Sequence, residues 1–206
     1  MLFRSSFISG HSAWFNASNL VELRRLDAVV VVAVDNGLSE ELLNVFGAQG
    51  LVKLAKEEDL SVVKFRLGHG CNITVFEHSD MVTCTGNSPI AAVTDIHIAA
   101  ERHSNPIGIS PTGAGYTTVM DAVDTTDISF VKTHSTFSKD NRIEEELIRQ
   151  KFENIPIMQY KLRIGHTMGA ATAIETAIAI QENSGKFLSL GAGMGNVFSA
   201  AVVNIL

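Results

Sequence analysis

The sequence is poor in cysteine and in long apolar runs, and each shortage excludes a class of protein. Two of the 206 residues are cysteines, Cys71 and Cys84, and no histidine or cysteine accompanies them at the spacing of a metal site. We therefore expect no metal centre and a reduced, cytoplasmic chain, with both thiols buried as small apolar side chains. The longest apolar run, AVVVVAV at 28–34, is too short to span a bilayer, so we expect no membrane partner.

Charge is also sparse and evenly spread. Charged residues make up 18% of the chain, the net charge is −6, and neither sign forms a run. Binding to nucleic acid requires clustered lysine and arginine, so we expect no nucleic-acid partner. Hydrophobic residues make up 46%, which suits a well-buried globular protein and argues against disorder.

The spacing of apolar residues predicts a mixed α/β protein. A helix over 12–25 comes before a strand over 27–34, whose valine run lacks polar alternation and is typical of burial on both faces. Strands over 60–66, 72–76 and 90–99 are expected next. Helices and strands then alternate, with helices over 117–123, 141–152 and 166–181 and strands over 128–133, 155–160, 186–190 and 197–205. This alternation predicts helices on both faces of a sheet, with functional residues in loops at strand ends.

Three predicted loops hold the candidate functional residues. In THSTFSKDN, His134 directly follows a buried strand; a second loop runs from Lys161 to His166; the third is LGAGMGN, whose glycines let the backbone approach a ligand. Each loop also has an ordinary structural explanation. His134 could be a histidine whose hydrogen bonds its surroundings satisfy, Lys161 and Glu175 could be an exposed ion pair, and the glycine loop could be a tight turn between strands. The glycine loop is followed by a strand, which excludes a dinucleotide motif of the strand–loop–helix kind. The three loops together, in this order, favour a site.

In this order the segments resemble those of the β-ketoacyl synthases of the thiolase-like superfamily. KLRIGHTMGAATAIE is similar to the family's K-x-x-x-G-H-x-x-G-A-A-G-x-x-E segment, and VKTHSTFSKDNRIEEE to N-A-H-G-T-x-T-P-x-x-D-x-x-E. SLGAGMGN resembles the closing S-F-G-F-G-G-T-N loop. Upstream, RRLDAVVVVAVD resembles R-x-G-D-A-D-V-x-x-A-G-G, and FRLGHGCNITVFE resembles F-x-x-G-E-G-A-G-x-x-V-L-E. The resemblance extends along nearly the whole chain.

The resemblance implies a thiolase-like, layered αβαβα fold with mixed sheets. Residues 1–90 would be a remnant of the N-terminal repeat and residues 91–206 the C-terminal repeat, packed as one unit. Members of the family are much longer, and this sequence begins where their nucleophile turn would lie. The first part of the N-terminal repeat would therefore be missing, which would leave an open, hydrophobic strand edge. We expect a partner chain to cover it, either a ketosynthase or the missing half.

The resemblance also implies catalytic roles for His134, His166, Lys161 and Glu175. In the family, two histidines flank a malonyl thioester and promote its decarboxylation, and the carbanion then attacks an acyl group held on a cysteine. A helix N-terminus would keep His166 neutral, so that its Nε2–H can donate to an enolate or thioester oxygen. Lys161 and Glu175 would form a buried pair, because an unpaired buried charge is costly.

The implied substrate carrier is the phosphopantetheine arm of acyl carrier protein, with no bound cofactor. Thr136 and Ser138 match hydroxyl positions that contact this arm in the family. The other implied substrate-binding positions lie in the closing loop: Gly191, Ala192, Gly193 and Asn196.

The sequence departs from the family at the nucleophile. Where the family has a segment like T-A-C-x-S-G, this chain has SSFISG. Aligned on Ser9 and Gly10, Phe7 takes the place of the cysteine; aligned on the later RRLDAV strand, Ser9 takes it. Neither alignment gives a thiol, and a serine would need an activating base within hydrogen-bond reach.

Three functions are compatible with these features. The leading hypothesis is a chain-length-factor-like subunit of fatty-acid or polyketide biosynthesis, which lacks the cysteine and pairs with a ketosynthase. The second is an enzyme that decarboxylates malonyl-carrier protein without condensing it. The third is an active condensing enzyme whose nucleophile comes from the partner chain. The missing thiol argues against condensation, whereas the surviving histidines favour a catalytic role. The sequence therefore leaves enzymatic activity open.

Overall fold

The described part of the chain, in a computed structural model, comprises residues 6–48, 66–105, 109–136 and 141–206. A two-stranded antiparallel sheet comes first, formed by β1 (Ala28–Asn36) and β2 (His69–Glu77). Three helices accompany these strands: α1 (Ser9–Glu22), α2 (Glu40–Ala48) and α3 (Ser79–Thr85). A 3₁₀ turn over Ser6–Ile8 leads directly into α1.

A five-stranded mixed sheet follows, in the order β3-β7-β6-β4-β5. Its strands are β3 (Ala91–Ala100), β4 (Phe130–Lys132), β5 (Ile157–Met158), β6 (Lys186–Gly193) and β7 (Val197–Ile205). β4 runs parallel to β5 and β6, whereas β7 is antiparallel to β6 and β3. The connecting helices are α4 (Ala114–Asp121), α5 (Asn141–Lys151), α6 (Lys161–Ile164) and α7 (Ala171–Glu182), with a 3₁₀ turn over Met168–Ala170 before α7.

Helices cover both faces of the five-stranded sheet, as predicted. On one face, Trp14 of α1 and Ala173 of α7 pack with Phe187 and with Val31 of the two-stranded sheet, so α1 and α7 lie between the sheets. On the other face, Tyr116 of α4 packs with the neighbouring buried side chains of β6 and β7. Both faces of these strands are therefore buried, which explains their nearly continuous apolar sequences. The mixed α/β prediction is confirmed.

The prediction that β1 is buried on both faces is wrong. Val31 is 7% exposed, but Val30, Val32 and Val34 are 61%, 57% and 68% exposed. The strand is thus buried on its inner face alone within the described residues. A valine run could not distinguish the two cases, because β-branched residues favour strands whether one face or both are covered.

The expectation that both thiols are buried is also wrong. Both cysteines are exposed: Cys71 lies in β2 opposite Val34 of β1, and Cys84 lies in α3. The helices α2 and α3 were not predicted from the sequence. The strand expected over 60–66 lies outside the described residues except for its last position, Arg66.

Boundaries in the second half shift by a few residues. β6 continues through Gly193, so Gly191, Ala192 and Gly193 are strand residues and only the three residues before Val197 form the hairpin turn. The helix expected from 166 begins at Ala171, after the 3₁₀ turn. No described helix is long and apolar enough to cross a membrane. The division into 1–90 and 91–206 stays a prediction, although the first sheet ends at Glu77 and the second begins at Ala91.

Candidate functional site

Two buried imidazoles form the centre of the candidate site. His134 follows β4, and His166 follows α6; they are 5% and 1% exposed. Their ring centroids are 5.5 Å apart, with an angle of 76° between the ring planes. The fold thus brings these two histidines to one point, as the resemblance implied.

A close approach of two loops fixes His166. Its backbone N–H donates to the Arg66 carbonyl at 2.6 Å, and its own carbonyl accepts from the Gly68 N–H at 3.0 Å. Gly165, with φ +74°, permits this approach, because a Cβ there would lie 2.6 Å from the Leu67 carbonyl oxygen. The G-H pair of the sequence therefore has a steric cause.

The ring of His166 has a defined tautomer. Its Nδ1 accepts a hydrogen bond from the Met168 backbone N–H at 3.0 Å, so in the neutral ring the proton is on Nε2. Burial, followed by the charges of Lys161 and Lys132, holds the pKa of His166 well below its usual value. The sequence led us to expect that a helix N-terminus keeps this ring neutral, but burial and the two ammonium charges are the causes, and the adjacent helical element is the 3₁₀ turn rather than the first turn of α7.

His134 is held by its backbone. Its N–H and that of Ser135 donate to the two carboxylate oxygens of Glu144, at 2.7 and 3.0 Å, and its carbonyl accepts from the Lys161 ammonium. Its Nδ1 is buried and has no hydrogen-bond partner among the described residues. Burial first, and then the charge of Lys161, lowers the pKa of His134 well below its usual value, so this ring is also neutral.

The predicted pair of Lys161 and Glu175 is part of a three-residue network. Lys161 Nζ lies 2.7 Å from Glu175 Oε1, and Lys132 Nζ lies 3.4 Å from Glu175 Oε2. Lys132 also donates to the Leu190 carbonyl at 2.8 Å. All three side chains are nearly or completely buried. Sequence reasoning missed Lys132, although in VKTH it stands where the similar segment has asparagine.

Phe7 occupies the space beside the two histidines. Its ring centroid is 4.5 Å from that of His166 and 6.3 Å from that of His134. It lies in the 3₁₀ turn before α1, whereas Ser9 is the first residue of α1. Of the two positions that the sequence left open for the nucleophile, the geometry places Phe7 against the imidazoles. A phenyl ring cannot form a thioester, so this position supplies shape but no nucleophile.

The remaining described positions lie on β6, in the hairpin turn before β7 and in the segment after His134. Gly191 packs against α7 and β7, because a Cβ there would lie 2.7 Å from Thr172 Cγ2 and 2.6 Å from Ser199 Oγ. Close packing therefore explains why this residue is glycine, whereas the sequence suggested that the backbone approaches a ligand here. Asn196, with φ +57°, lies in the hairpin turn and donates to the His103 carbonyl at 3.0 Å. Thr136 is in the segment after His134, and Ser138 lies outside the described residues.

His11 is a further buried histidine that sequence reasoning missed. Its Nδ1 is 2.9 Å from Ser199 Oγ and its Nε2 is 3.1 Å from Ser189 Oγ, so it links α1 to β6 and β7. Burial is the main cause that lowers its pKa well below the usual value. The described histidine, cysteine, aspartate and glutamate side chains form no group of three that could hold a metal ion.

Solved structures share this fold. One is a type II polyketide synthase acyl-carrier protein in complex with its ketosynthase; the match has a TM-score of 0.87 and 16% identity, and covers 99% of this chain and 62% of that one. A β-ketoacyl synthase from Burkholderia phymatum matches with a TM-score of 0.83 and 14% identity, over 98% and 60% of the two chains. The ishigamide ketosynthase/chain length factor matches with a TM-score of 0.84 and 14% identity, over 100% and 60%.

These likenesses show a thiolase-like fold. Neither a protein-family model nor a curated protein matches the sequence. The chain spans about three fifths of the length of the three chains described above. At such low identity the fold is shared, and the function has to be argued from the site.

Proposed function

We propose that this chain is a ketosynthase-family subunit of polyketide or fatty-acid biosynthesis that carries no acyl thioester itself. The observation that carries the proposal is the Phe7 ring, which lies against His166 and beside His134. On this proposal His134 and His166 correspond to the histidines of a condensing enzyme, and an apolar side chain stands in place of the nucleophile. This combination suits a chain-length-factor-like subunit, which shapes the site of a complex and leaves condensation to a partner.

Acyl carrier protein is the proposed substrate carrier. Its phosphopantetheine arm would reach the histidines past Thr136. The test is to compare apo-, holo- and malonyl-carrier protein for binding to the full chain by calorimetry, with intact mass measured afterwards. The proposal predicts tighter binding of the forms that bear the arm, with no acyl adduct on the chain. Equal binding of all three forms would show that the arm does not enter.

Decarboxylation of malonyl-carrier protein is the second candidate, and the tautomer of His166 favours it. A neutral ring with its proton on Nε2 can donate to the enolate oxygen that forms as carbon dioxide leaves. Conversion of malonyl- to acetyl-carrier protein, lost in His166→Ala, would establish this activity. No carbon dioxide release from the chain with its partner would exclude it. A third candidate, condensation with a nucleophile supplied by the partner, would appear as an acyl adduct on that partner.

A second ketosynthase-family chain is the proposed partner, and the outer face of the two-stranded sheet is its proposed contact. On this face Val30 lies opposite Val75 and Val32 opposite Ile73, and all four are between 57% and 64% exposed. A row of cross-strand apolar pairs of this kind is typical of an interaction surface. The described residues leave it open to solvent, and the chain spans only part of the length of its structural neighbours.

Co-purification from the native host tests the partner proposal. Val32→Lys places a charge on the exposed face without removing buried contacts, so it should release a bound ketosynthase-type chain. Val45→Lys is the matched control, since Val45 is 52% exposed but lies in α2. A wild-type chain that comes out alone, monomeric and folded would contradict the need for a partner.

A further inference from the structure

Asp35 is a half-buried aspartate near the end of β1, opposite Gly70 of β2. Its carboxylate reaches the turn that follows His166, where Asp35 Oδ2 accepts a hydrogen bond from the Gly169 backbone N–H at 2.9 Å. The contact lies in the wall of a groove that Phe7 also lines. In the family segment that RRLDAVVVVAVD resembles, the last position is glycine, so the resemblance does not account for this carboxylate.

The 3₁₀ turn that receives this hydrogen bond also fixes the ring of His166. The first two backbone N–H groups of the turn, over Met168–Ala170, have different acceptors. That of Met168 donates to His166 Nδ1 at 3.0 Å, and that of Gly169 donates to Asp35. The two N–H groups belong to successive peptide planes, which only the φ and ψ angles of Met168 separate. Fixing one plane therefore restricts the direction of the other.

The backbone of Met168 has a conformation that needs such a restraint. Its φ is +45°, in the left-handed region that residues with a Cβ rarely adopt. A conformation of this kind persists only where surrounding contacts hold it. The hydrogen bond to Asp35 is such a contact, and a carboxylate is a stronger acceptor than a neutral group. Without it, Met168 can rotate toward the right-handed region and turn its N–H away from His166 Nδ1.

The end of β1 also leads to the backbone of His166. The N–H of Gly37, the residue after β1, donates to the Gly68 carbonyl at 3.1 Å, and the Gly68 N–H donates to the His166 carbonyl at 3.0 Å. A Cβ on Gly37 would lie 2.5 Å from the Gly68 carbonyl oxygen, so these segments are in close contact. Backbone contacts thus tie His166 to the end of β1, and the Asp35 carboxylate ties the following turn to the same strand.

We propose that Asp35 is a positioning residue: its carboxylate holds the turn after His166, so that the Met168 N–H stays on Nδ1 and the ring proton stays on Nε2. A neutral imidazole has one N–H and one acceptor nitrogen, and a backbone donor at Nδ1 selects the form that is protonated at Nε2. Asp35 acts on the ring through the peptide backbone. What the Nε2–H donates to rests on the proposed function, but the position of the proton does not.

Nitrogen NMR of the isotope-labelled full chain tests the inference directly, because the protonated and unprotonated ring nitrogens of histidine differ widely in chemical shift. The His166 signals are assigned by their loss in His166→Ala, and wild type at neutral pH should show the proton on Nε2. Asp35→Ala should raise the population of the form protonated at Nδ1 about fivefold, as expected for the loss of one hydrogen bond. Asp95→Ala is the matched control and should leave the His166 signals unchanged. Asp95 is also a half-buried strand aspartate, and it accepts the Asp124 N–H in another part of the fold.

Two further variants keep the test decisive. Asp35→Asn retains an oxygen that can accept from Gly169, so it should keep the wild-type tautomer. Asp35→Thr replaces Asp35→Ala if that variant does not fold: threonine suits a strand, but its hydroxyl is one bond shorter than the carboxylate oxygens, so the same change is expected. A folded Asp35→Ala or Asp35→Thr protein with the wild-type signals would overturn the inference, as would an equal change in Asp35→Asn. Because the readout needs no substrate, failure of carrier-protein binding would refute the proposed function and leave this result standing.

Discussion

The ring of Phe7 lies against the imidazole of His166, with 4.5 Å between centroids and 59° between planes. This contact joins the start of α1 to the turn before α7. It places an apolar group at the point where the resemblance expects a thiol, next to a ring whose Nε2 carries a proton. The site therefore retains donors for an oxyanion, and the side chain at position 7 beside them cannot act as a nucleophile.

Lys132 should make stability depend on pH in the alkaline range. Burial lowers its pKa from 10.5 to about 8. Between these values the unfolded chain binds more protons than the folded chain, so the free energy of unfolding should rise as pH increases from 8 to 10.5. The full effect is on the order of 3 kcal/mol. Urea unfolding of wild type and Lys132→Met across this range measures it.

The difference between those two proteins isolates the effect of Lys132, because other groups titrate in both. A curve for Lys132→Met that rises with pH as steeply as wild type would contradict the assignment. Lys186→Met removes a lysine that pairs with Asp124 at the surface, so it is the control and should follow the wild-type curve.

Glu175→Gln should be strongly destabilising near neutral pH. The substitution removes the carboxylate that Lys161 and Lys132 both contact inside the protein, which costs about 3–5 kcal/mol. Glu182→Gln removes the partner of Arg163 at the surface and should leave the free energy of unfolding nearly unchanged. Similar unfolding midpoints for the two variants in urea would show that Lys132, Lys161 and Glu175 do not form a buried ionic network.

The resemblance to the β-ketoacyl synthases implied the pair of Lys161 and Glu175 and the joint placement of His134 and His166, and the structure brings both about. The sequence did not predict Lys132 or His11, since an isolated buried polar residue has no pattern of its own. The outer face of β1 was misjudged for a related reason. Its valines satisfy strand preference on both faces, and only the packing of neighbouring elements decides which face is covered.

Gly191→Ala tests the reinterpretation of the glycine loop as packed strand. An added methyl group would overlap Thr172 and Ser199 in the interior, which should lower the free energy of unfolding by about 1–3 kcal/mol. Gly47→Ala is the control: an added Cβ there has no described atom within 4 Å, and alanine in α2 should stabilise by up to about 1 kcal/mol. Unfolding in urea compares the two, and a neutral Gly191→Ala would indicate open space at that position.

Acylation of Phe7→Cys tests the central claim most directly. Cys71 and Cys84 are exposed, so both are first replaced by serine. Phe7→Cys and, as control, Ser9→Cys are then incubated with acyl-carrier protein and followed by intact mass. If Phe7 holds the nucleophile position of a ketosynthase-type site, Phe7→Cys should form an acyl adduct. The adduct should be lost when His166→Ala is added, and Ser9→Cys should form none. Equal labelling of the two variants, or none on a folded Phe7→Cys protein, would contradict it.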